Sequence, residues 1–301
     1  MIPITLITGF LGCGKTTLLR QIIEKNRYRK FVYLVNEFSP ADVDGALIAD
    51  KTAGTVTIPG GSIFCRCLVT QFVSQLNKIP ERFGSRDHPI ERIIIEASGI
   101  ADPKVIRKML QETHLNETYR LQSLISVIDP LSFLKLRHTL PNIRSQIEAA
   151  DLVIINKTDL VSQSQTDQAE TFARNINPNM QILKTSYCKM KTNILNQVPS
   201  SLNESGDYAP CRDPHYGILL LRNKSVTIDK LKAAIIPVSD DIYRLKGFIV
   251  TNNDIYYINY SASGWEVTLA PQSVQETSVS VIVNGEYREK VVEHFQNLNL
   301  L

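Results

Sequence analysis

The chain has 301 residues, 43% of them hydrophobic and 21% charged, with a formal net charge of +3. That length accommodates about two domains, and the composition is that of an ordinary globular protein. So weak a positive balance, with no dense Lys/Arg block, argues against nucleic acid or a membrane surface as partner, and no run reaches the roughly 18 apolar residues of a membrane span.

The N-terminus has no basic leader region and runs directly into a candidate strand, Ile2–Thr8, so the expected location is cytoplasmic. Five cysteines (Cys13, Cys65, Cys67, Cys188 and Cys211) form an odd, sparse set that suits a reducing compartment better than a disulfide framework. After the strand, Gly9-Phe10-Leu11-Gly12-Cys13-Gly14-Lys15-Thr16 spell a complete Walker A loop. Gly9, Gly12 and Gly14 allow backbone N–H groups to turn inward on phosphates, with Cys13 a small filler. Lys15 supplies positive charge to the terminal phosphates, and Thr16 offers a hydroxyl to Mg²⁺. Thr17 continues into a helix, Thr16–Lys25, with Leu18, Leu19, Ile22 and Ile23 at helical spacing. A buried strand, a Gly-rich turn and a helix N-terminus are what phosphate capture requires. Binding of a nucleoside triphosphate is expected.

A second strand, Phe31–Asn36, ends at Asn36-Glu37, a polar pair expected near the phosphates, with Glu37 a candidate carboxylate for Mg²⁺. Asp42 and Asp44 follow in a long Pro/Gly-containing loop of the kind a switch segment uses. Beyond a helix over Val69–Ile79, the strand Ile93–Glu96 ends on a carboxylate placed to hold Mg²⁺ directly or through water, with Gly99 close to the γ-phosphate. The alternative role for Glu96, capping the next helix, competes with Asp102-Pro103, which already supplies a cap and a first helical residue. The pattern continues with a helix Lys104–Gln111, a strand Leu124–Ile128, helices Ser132–Leu140 and Asn142–Ala149, and a strand Leu152–Asn156.

Asn156-Lys157-Thr158-Asp159 closes that strand. A carboxylate at Asp159 can accept from both N1–H and the exocyclic amine of guanine, whereas adenine offers no such donor pair. The Lys157 stem can lie along the base, and Asn156 is expected to tie this loop to the phosphate loop. A helix Gln165–Ile176 and a strand Ile182–Thr185 follow, and Thr185-Ser186 at the strand's end is the natural place for a second, backbone-mediated contact to the base. The strands are continuous apolar runs, which implies burial on both faces. The expected class is α/β, a mostly parallel P-loop sheet flanked by helices.

Residues 1–200 are read as this nucleotide-binding domain and residues 201–214 as a Ser-, Asn-, Gly- and Pro-rich linker. Residues 215–301 are read as a small α+β domain with strands Tyr216–Leu221, Tyr243–Thr251, Ile255–Tyr260, Trp265–Ala270 and Val279–Val283. Its helices fall at Ile228–Ile235 and Arg288–Leu298. This mixed sheet could dock a client, mediate homodimerisation or cover the nucleotide site.

Gly9–Thr17, Asn36–Phe38, Glu96–Pro103 and Asn156–Asp159, in that order, resemble the motifs of the CobW-type GTPases, relatives of the GTPases that help nickel into urease and hydrogenase. Arg244-Leu245-Lys246-Gly247-Phe248 resembles the Arg-x-Lys-Gly element of that family's C-terminal domain. The resemblance implies a slow, Mg²⁺-dependent GTPase that cycles between GTP and GDP and couples nucleotide state to delivery of a transition metal or metallo-cofactor to a client metalloprotein. Two alternatives remain open: a metal-binding chaperone or switch with little turnover, and a P-loop kinase of small molecules.

The family carries a Cys-x-Cys-Cys motif after a glycine, where this chain reads Gly61-Ser62-Ile63-Phe64-Cys65-Arg66-Cys67. Ser62 and Phe64 cannot replace thiolates as soft-metal ligands. Cys65 and Cys67, with Glu37 or a histidine, could form a rearranged site for Zn²⁺ or another transition metal; equally, the thiols are ordinary. His88, His114, His138, His215 and His294 are scattered without ligand spacing.

Overall fold

The computed structural model describes residues 1–37, 54–59, 61–190, 193–196, 206–208, 213–222, 226–251, 254–270, 274 and 277–301. The first sheet has seven strands: β1 (Ile2–Thr8), β2 (Phe31–Glu37), β3 (Thr55–Pro59), β4 (Arg92–Glu96), β5 (Tyr119–Ile128), β6 (Leu152–Ile155) and β7 (Gln181–Lys184). Their order is β3-β2-β4-β1-β5-β6-β7, and every pairing is parallel. The continuous Val, Ile and Leu runs of β1, β4 and β6 are buried on both faces, as parallel strands covered by helices must be. Helices α1 (Lys15–Lys25), α2 (Val69–Phe83), α3 (Val105–Glu112), α4 (Pro130–Leu136), α5 (Pro141–Glu148) and α6 (Gln163–Ile176) connect the strands.

The helix expected from Ser132 begins earlier, at Pro130. Asp129 is its N-cap, accepting from the backbone N–H of Leu131 and Ser132, and proline occupies the first helical position, where no N–H is needed. β3 was not anticipated. Its Thr-Val-Thr-Ile-Pro run alternates polar and apolar residues because it is an edge strand, buried at Val56 and Ile58 but not at Thr55 or Thr57.

The second sheet has strands β8 (Tyr216–Arg222), β9 (Ile242–Thr251), β10 (Asp254–Ser261), β11 (Gly264–Leu269) and β12 (Ser278–Asn284), in the order β11-β10-β9-β12-β8. Every pairing is antiparallel, so the sheet is not the mixed one expected. Helices α7 (Ile228–Ile235) and α8 (Arg288–Asn297) cover one face, burying Leu231, Ile235, Val291 and Phe295 against Leu245, Ile258 and Val281.

The two sheets pack on one another through aromatic and polar contacts. Tyr243 of β9 meets Phe10 of the phosphate loop edge-on at 5.8 Å, and Tyr216 meets Tyr243 edge-on at 5.7 Å. The Tyr216 hydroxyl donates to Asn142 Oδ1 (2.8 Å). Within the expected linker, the Gly206 N–H donates to the Lys104 carbonyl and the Tyr208 hydroxyl to Glu112, so residues 206–208 run along α3. No helix among the described residues is long and apolar enough to cross a membrane.

Candidate functional site

A cavity of about 670 Å³ opens between the C-terminal ends of the first sheet and the β10–β11 hairpin of the second. This is the edge where ligands bind in open α/β sheets. One wall is Gly12, Gly14, Lys15, Thr16, Thr17 and Arg20, with Asn156, Lys157, Asp159, Leu160 and Tyr187 beside them. The structure therefore brings together two segments that the sequence separates widely: the phosphate loop and the Asn156–Asp159 loop.

Asn156 makes that junction. Its Nδ2 donates to the Cys13 carbonyl (2.9 Å), while Oδ1 accepts from the Cys188 N–H (2.9 Å). A Cβ on Gly14 would stand 2.3 Å from Asn156 Nδ2, and Gly14 also has φ +112°, so both space and backbone conformation require glycine there. Gly14 is the N-cap of α1 and no side chain caps that helix, leaving its N-terminal turn to face an anion. The Lys15 ammonium is buried and folds back on its own loop, donating to the carbonyls of Gly9 (2.8 Å) and Phe10 (3.3 Å).

At the end of β4, Thr16 Oγ1 donates to Glu96 Oε1 (3.0 Å), and Glu96 is only 2% exposed. Glu96 thus does not cap α3. A hydroxyl and a buried carboxylate side by side are hard oxygen donors of the kind Mg²⁺ takes, so this pair fits that ion. Gly99 lies against Leu11 of the phosphate loop. The buried Gln146 holds the segment, donating to the carbonyls of Gly99 (3.1 Å) and Ala101 (3.2 Å). The side chain of Glu37, together with Asp42 and Asp44, lies outside the described residues.

Asn36 belongs to the fabric behind the site. Its Nδ2 donates to the carbonyls of Ile58 (3.0 Å) and Gly61 (2.8 Å), and its Oδ1 accepts from the N–H of Ile63 (3.0 Å) and Ser98 (3.1 Å). One side chain thereby fixes the end of β3, the segment before Cys65, and the loop between Glu96 and Gly99.

Asp159 sits on the cavity wall in a 3-10 turn, Thr158–Leu160. That turn is anchored to the end of β7 by Thr158 Oγ1, which lies 3.2 Å from the Thr185 carbonyl and 3.1 Å from Ser186 Oγ. Ser186 therefore braces the turn and is not one of the cavity-lining residues, whereas its neighbour Tyr187 is. Lys157, with φ +59°, donates from Nζ to Ser263 Oγ (2.7 Å) in the β10–β11 turn. Ser263 Oγ in turn donates to Asp129 Oδ2 (3.2 Å). The same turn seats Ser261 on the phosphate loop: a Cβ on Gly12 would stand 2.9 Å from Ser261 Cβ. Sequence reasoning missed these serines, whose only local signal is turn composition.

The cysteines fall into distinct settings. Burial raises the thiol pKa values of Cys13 and Cys188, which makes both poor nucleophiles and poor ligands. Phe64 is fully buried against Phe72, with ring centroids 6.0 Å apart, and Ser62 Oγ accepts from the Phe64 N–H, so these two positions serve packing. Cys65 is a buried free thiol. Cys67 is disulfide-bonded. A sulfur in a disulfide has no thiolate to give a metal, so a Cys65–Cys67 ligand pair would require that bond to be reduced. Among the described residues, no group of three or more His, Cys, Asp or Glu converges as a metal site.

The family model described as CobW/HypB/UreG, nucleotide-binding domain, matches residues 3–184. The chain is 31% identical over 205 residues to the zinc chaperone YeiR of Escherichia coli (strain K12), covering 66% of this chain and 60% of that protein. It is 30% identical over 165 residues to the zinc chaperone YjiA of the same organism, covering 54% of this chain and 52% of that protein. With the zinc-regulated GTPase metalloprotein activator 1 of Schizosaccharomyces pombe it shares 29% identity over 197 residues, 63% of this chain and 47% of that protein. The matches thus span about half to three-fifths of these relatives. A crystal structure of a zinc-bound triple mutant of the YjiA GTPase has the same fold, with TM-score 0.50 at 19% identity over 99% of this chain and 98% of that one. The chain belongs to the CobW/HypB/UreG family.

Proposed function

We propose that the chain binds guanine nucleotide with Mg²⁺ in this cavity, hydrolyses GTP slowly, and couples nucleotide state to handling of a transition metal for a client protein. The observation that carries the nucleotide reading is the convergence of Gly12–Thr17 and Asn156–Asp159 on one cavity. An incoming phosphate chain exchanges with the Gly9 and Phe10 carbonyls for the Lys15 ammonium. Thr16 and Glu96 would hold Mg²⁺, which would supply positive charge to offset that of the phosphates. Asp159 accepts the two guanine donors. Hydrolysis is then in-line attack of water on the γ-phosphorus with release of GDP, a reaction of positioning and charge stabilisation with no covalent enzyme intermediate. Support for the metal role comes from the relatives named as zinc chaperones and as a metalloprotein activator.

Phosphate release from GTP by the full chain tests the catalytic part. The expected turnover is slow, on the order of 10⁻³ per second or below, abolished by chelating Mg²⁺ and absent from Lys15→Ala. Release no faster than from Lys15→Ala would sink the hydrolytic reading and leave a nucleotide-dependent switch.

A further inference from the structure

The face of the second sheet that looks into the cavity is built from alternate residues of three strands: Arg244 on β9, Tyr257, Asn259 and Ser261 on β10, and Glu266 on β11. Residues of opposite parity, such as Leu245, Ile249 and Ile258, enter the C-terminal core. A small domain attached only as a docking platform has no reason to turn its polar face onto a phosphate loop. The register Tyr260↔Leu245 places Arg244, one step further along, beside Ser261, and Ser261 is the residue that rests on Gly12. Arg244 Nε donates to Asn259 Oδ1 (3.3 Å), and Asn259 Nδ2 donates to Glu266 Oε2 (3.1 Å), a ladder across β9, β10 and β11 that orients the guanidinium.

The charge inventory points the same way. Among the described residues, four cationic side chains line the cavity (Lys15, Arg20, Lys157 and Arg244) against two carboxylates (Asp159 and Glu266), an excess of two positive charges that suits a polyanion. Lys157 is engaged by Ser263, and Lys15 belongs to the phosphate loop, so Arg244 is the cation that the second domain brings to the phosphate side.

We propose that Arg244 contacts the β- and γ-phosphates of bound GTP, so that the second domain completes the nucleotide site and supplies in cis the positive charge that phosphoryl transfer requires. The proposal rests on the nucleotide reading above. In the reaction, water oxygen forms the new bond to the γ-phosphorus as the bond to the β,γ-bridging oxygen breaks, and the water proton leaves with the phosphate product and solvent. The guanidinium exchanges no proton. It stays charged and donates hydrogen bonds to oxygens that gain negative charge.

The test uses the full chain and its Arg244→Ala, Arg244→Gln and Arg244→Lys variants. Glutamine keeps a donor toward Asn259 while removing the charge, and lysine keeps the charge. The measurements are affinity for guanosine and for a non-hydrolysable GTP analogue, phosphate release at saturating GTP, and the thermal midpoint. Alanine and glutamine are expected to weaken the analogue about tenfold, leave guanosine within about twofold, and slow phosphate release by about a hundredfold or more, with lysine restoring part of the loss. Wild-type analogue affinity and release in both the alanine and glutamine variants overturn the proposal. So do equal losses for guanosine and the analogue with a lowered midpoint, which describe a structural role through Asn259. If the unmodified chain binds no GTP, or Lys15→Ala releases phosphate as fast as the unmodified chain, the nucleotide reading itself fails and takes this proposal with it.

Discussion

Asp159→Ala is expected to reduce the preference for GTP over ATP by about a hundredfold, at the low end of a 10²–10⁴ range. Each charge-assisted hydrogen bond is worth about 1.5–3 kcal/mol, and two are lost; every 1.4 kcal/mol or so is a factor of ten in affinity. The lower end applies because Asp159 stands on an exposed wall of the cavity, where water competes for the carboxylate. Its geometry is nonetheless set before any ligand arrives. The turn that carries it is tied to the end of β7 through Thr158, and the loop is tied to the phosphate loop through Asn156. Competition binding with GTP and ATP reads the ratio directly. An unchanged ratio in the variant would remove Asp159 from base recognition.

Asn36→Ala is expected to cost about 3–6 kcal/mol of stability. The substitution strands two backbone N–H groups, those of Ile63 and Ser98, and two carbonyls, those of Ile58 and Gly61. Ile58 and Ile63 are wholly buried and Ser98 nearly so. An unsatisfied buried group costs about 1–3 kcal/mol, and partial relaxation or entry of water recovers some of the total. For a chain of this size the thermal midpoint should fall by about 5–10 °C. Because Asn36 also holds Ser98, next to Gly99, the variant should discriminate less between GTP and GDP even below its melting transition. A loss under about 1 kcal/mol in denaturant titration would show that these bonds are replaceable.

The Gly9–Thr16 loop, its flanking strand and helix, and the Asn156–Asp159 turn were legible as elements because each is a local pattern. The run from Ile2 to Thr8 is observed as β1 with those bounds, and the spacing of Leu18, Leu19, Ile22 and Ile23 becomes the buried face of α1. Asn156 was legible as a tie to the phosphate loop because its place at the end of β6 leaves it one sheet edge to bridge. The far wall of the cavity was not legible. Ser261 and Ser263 read locally as turn residues, and their contacts to Gly12, Lys157 and Asp129 exist only after Tyr243 has docked on Phe10. Asn36 showed its polarity in the sequence but not its partners, which come from three other segments. The place of Ser186 after β7 showed nothing of its hydroxyl, which faces Thr158. The bonded state of Cys67 could not be read from spacing, because disulfide connectivity is a property of the fold.

On the proposed function, guanine nucleotide occupies the cavity lined by the phosphate loop, the Asn156–Asp159 turn and the β10–β11 hairpin, and the second domain closes it. Calorimetric titration of the full chain with GTP and with ATP, both in excess Mg²⁺, tests it most directly. A single GTP site is expected, with ATP binding at least about a hundredfold weaker. Equal affinity for the two nucleotides, or no heat with GTP at millimolar concentration, would contradict it.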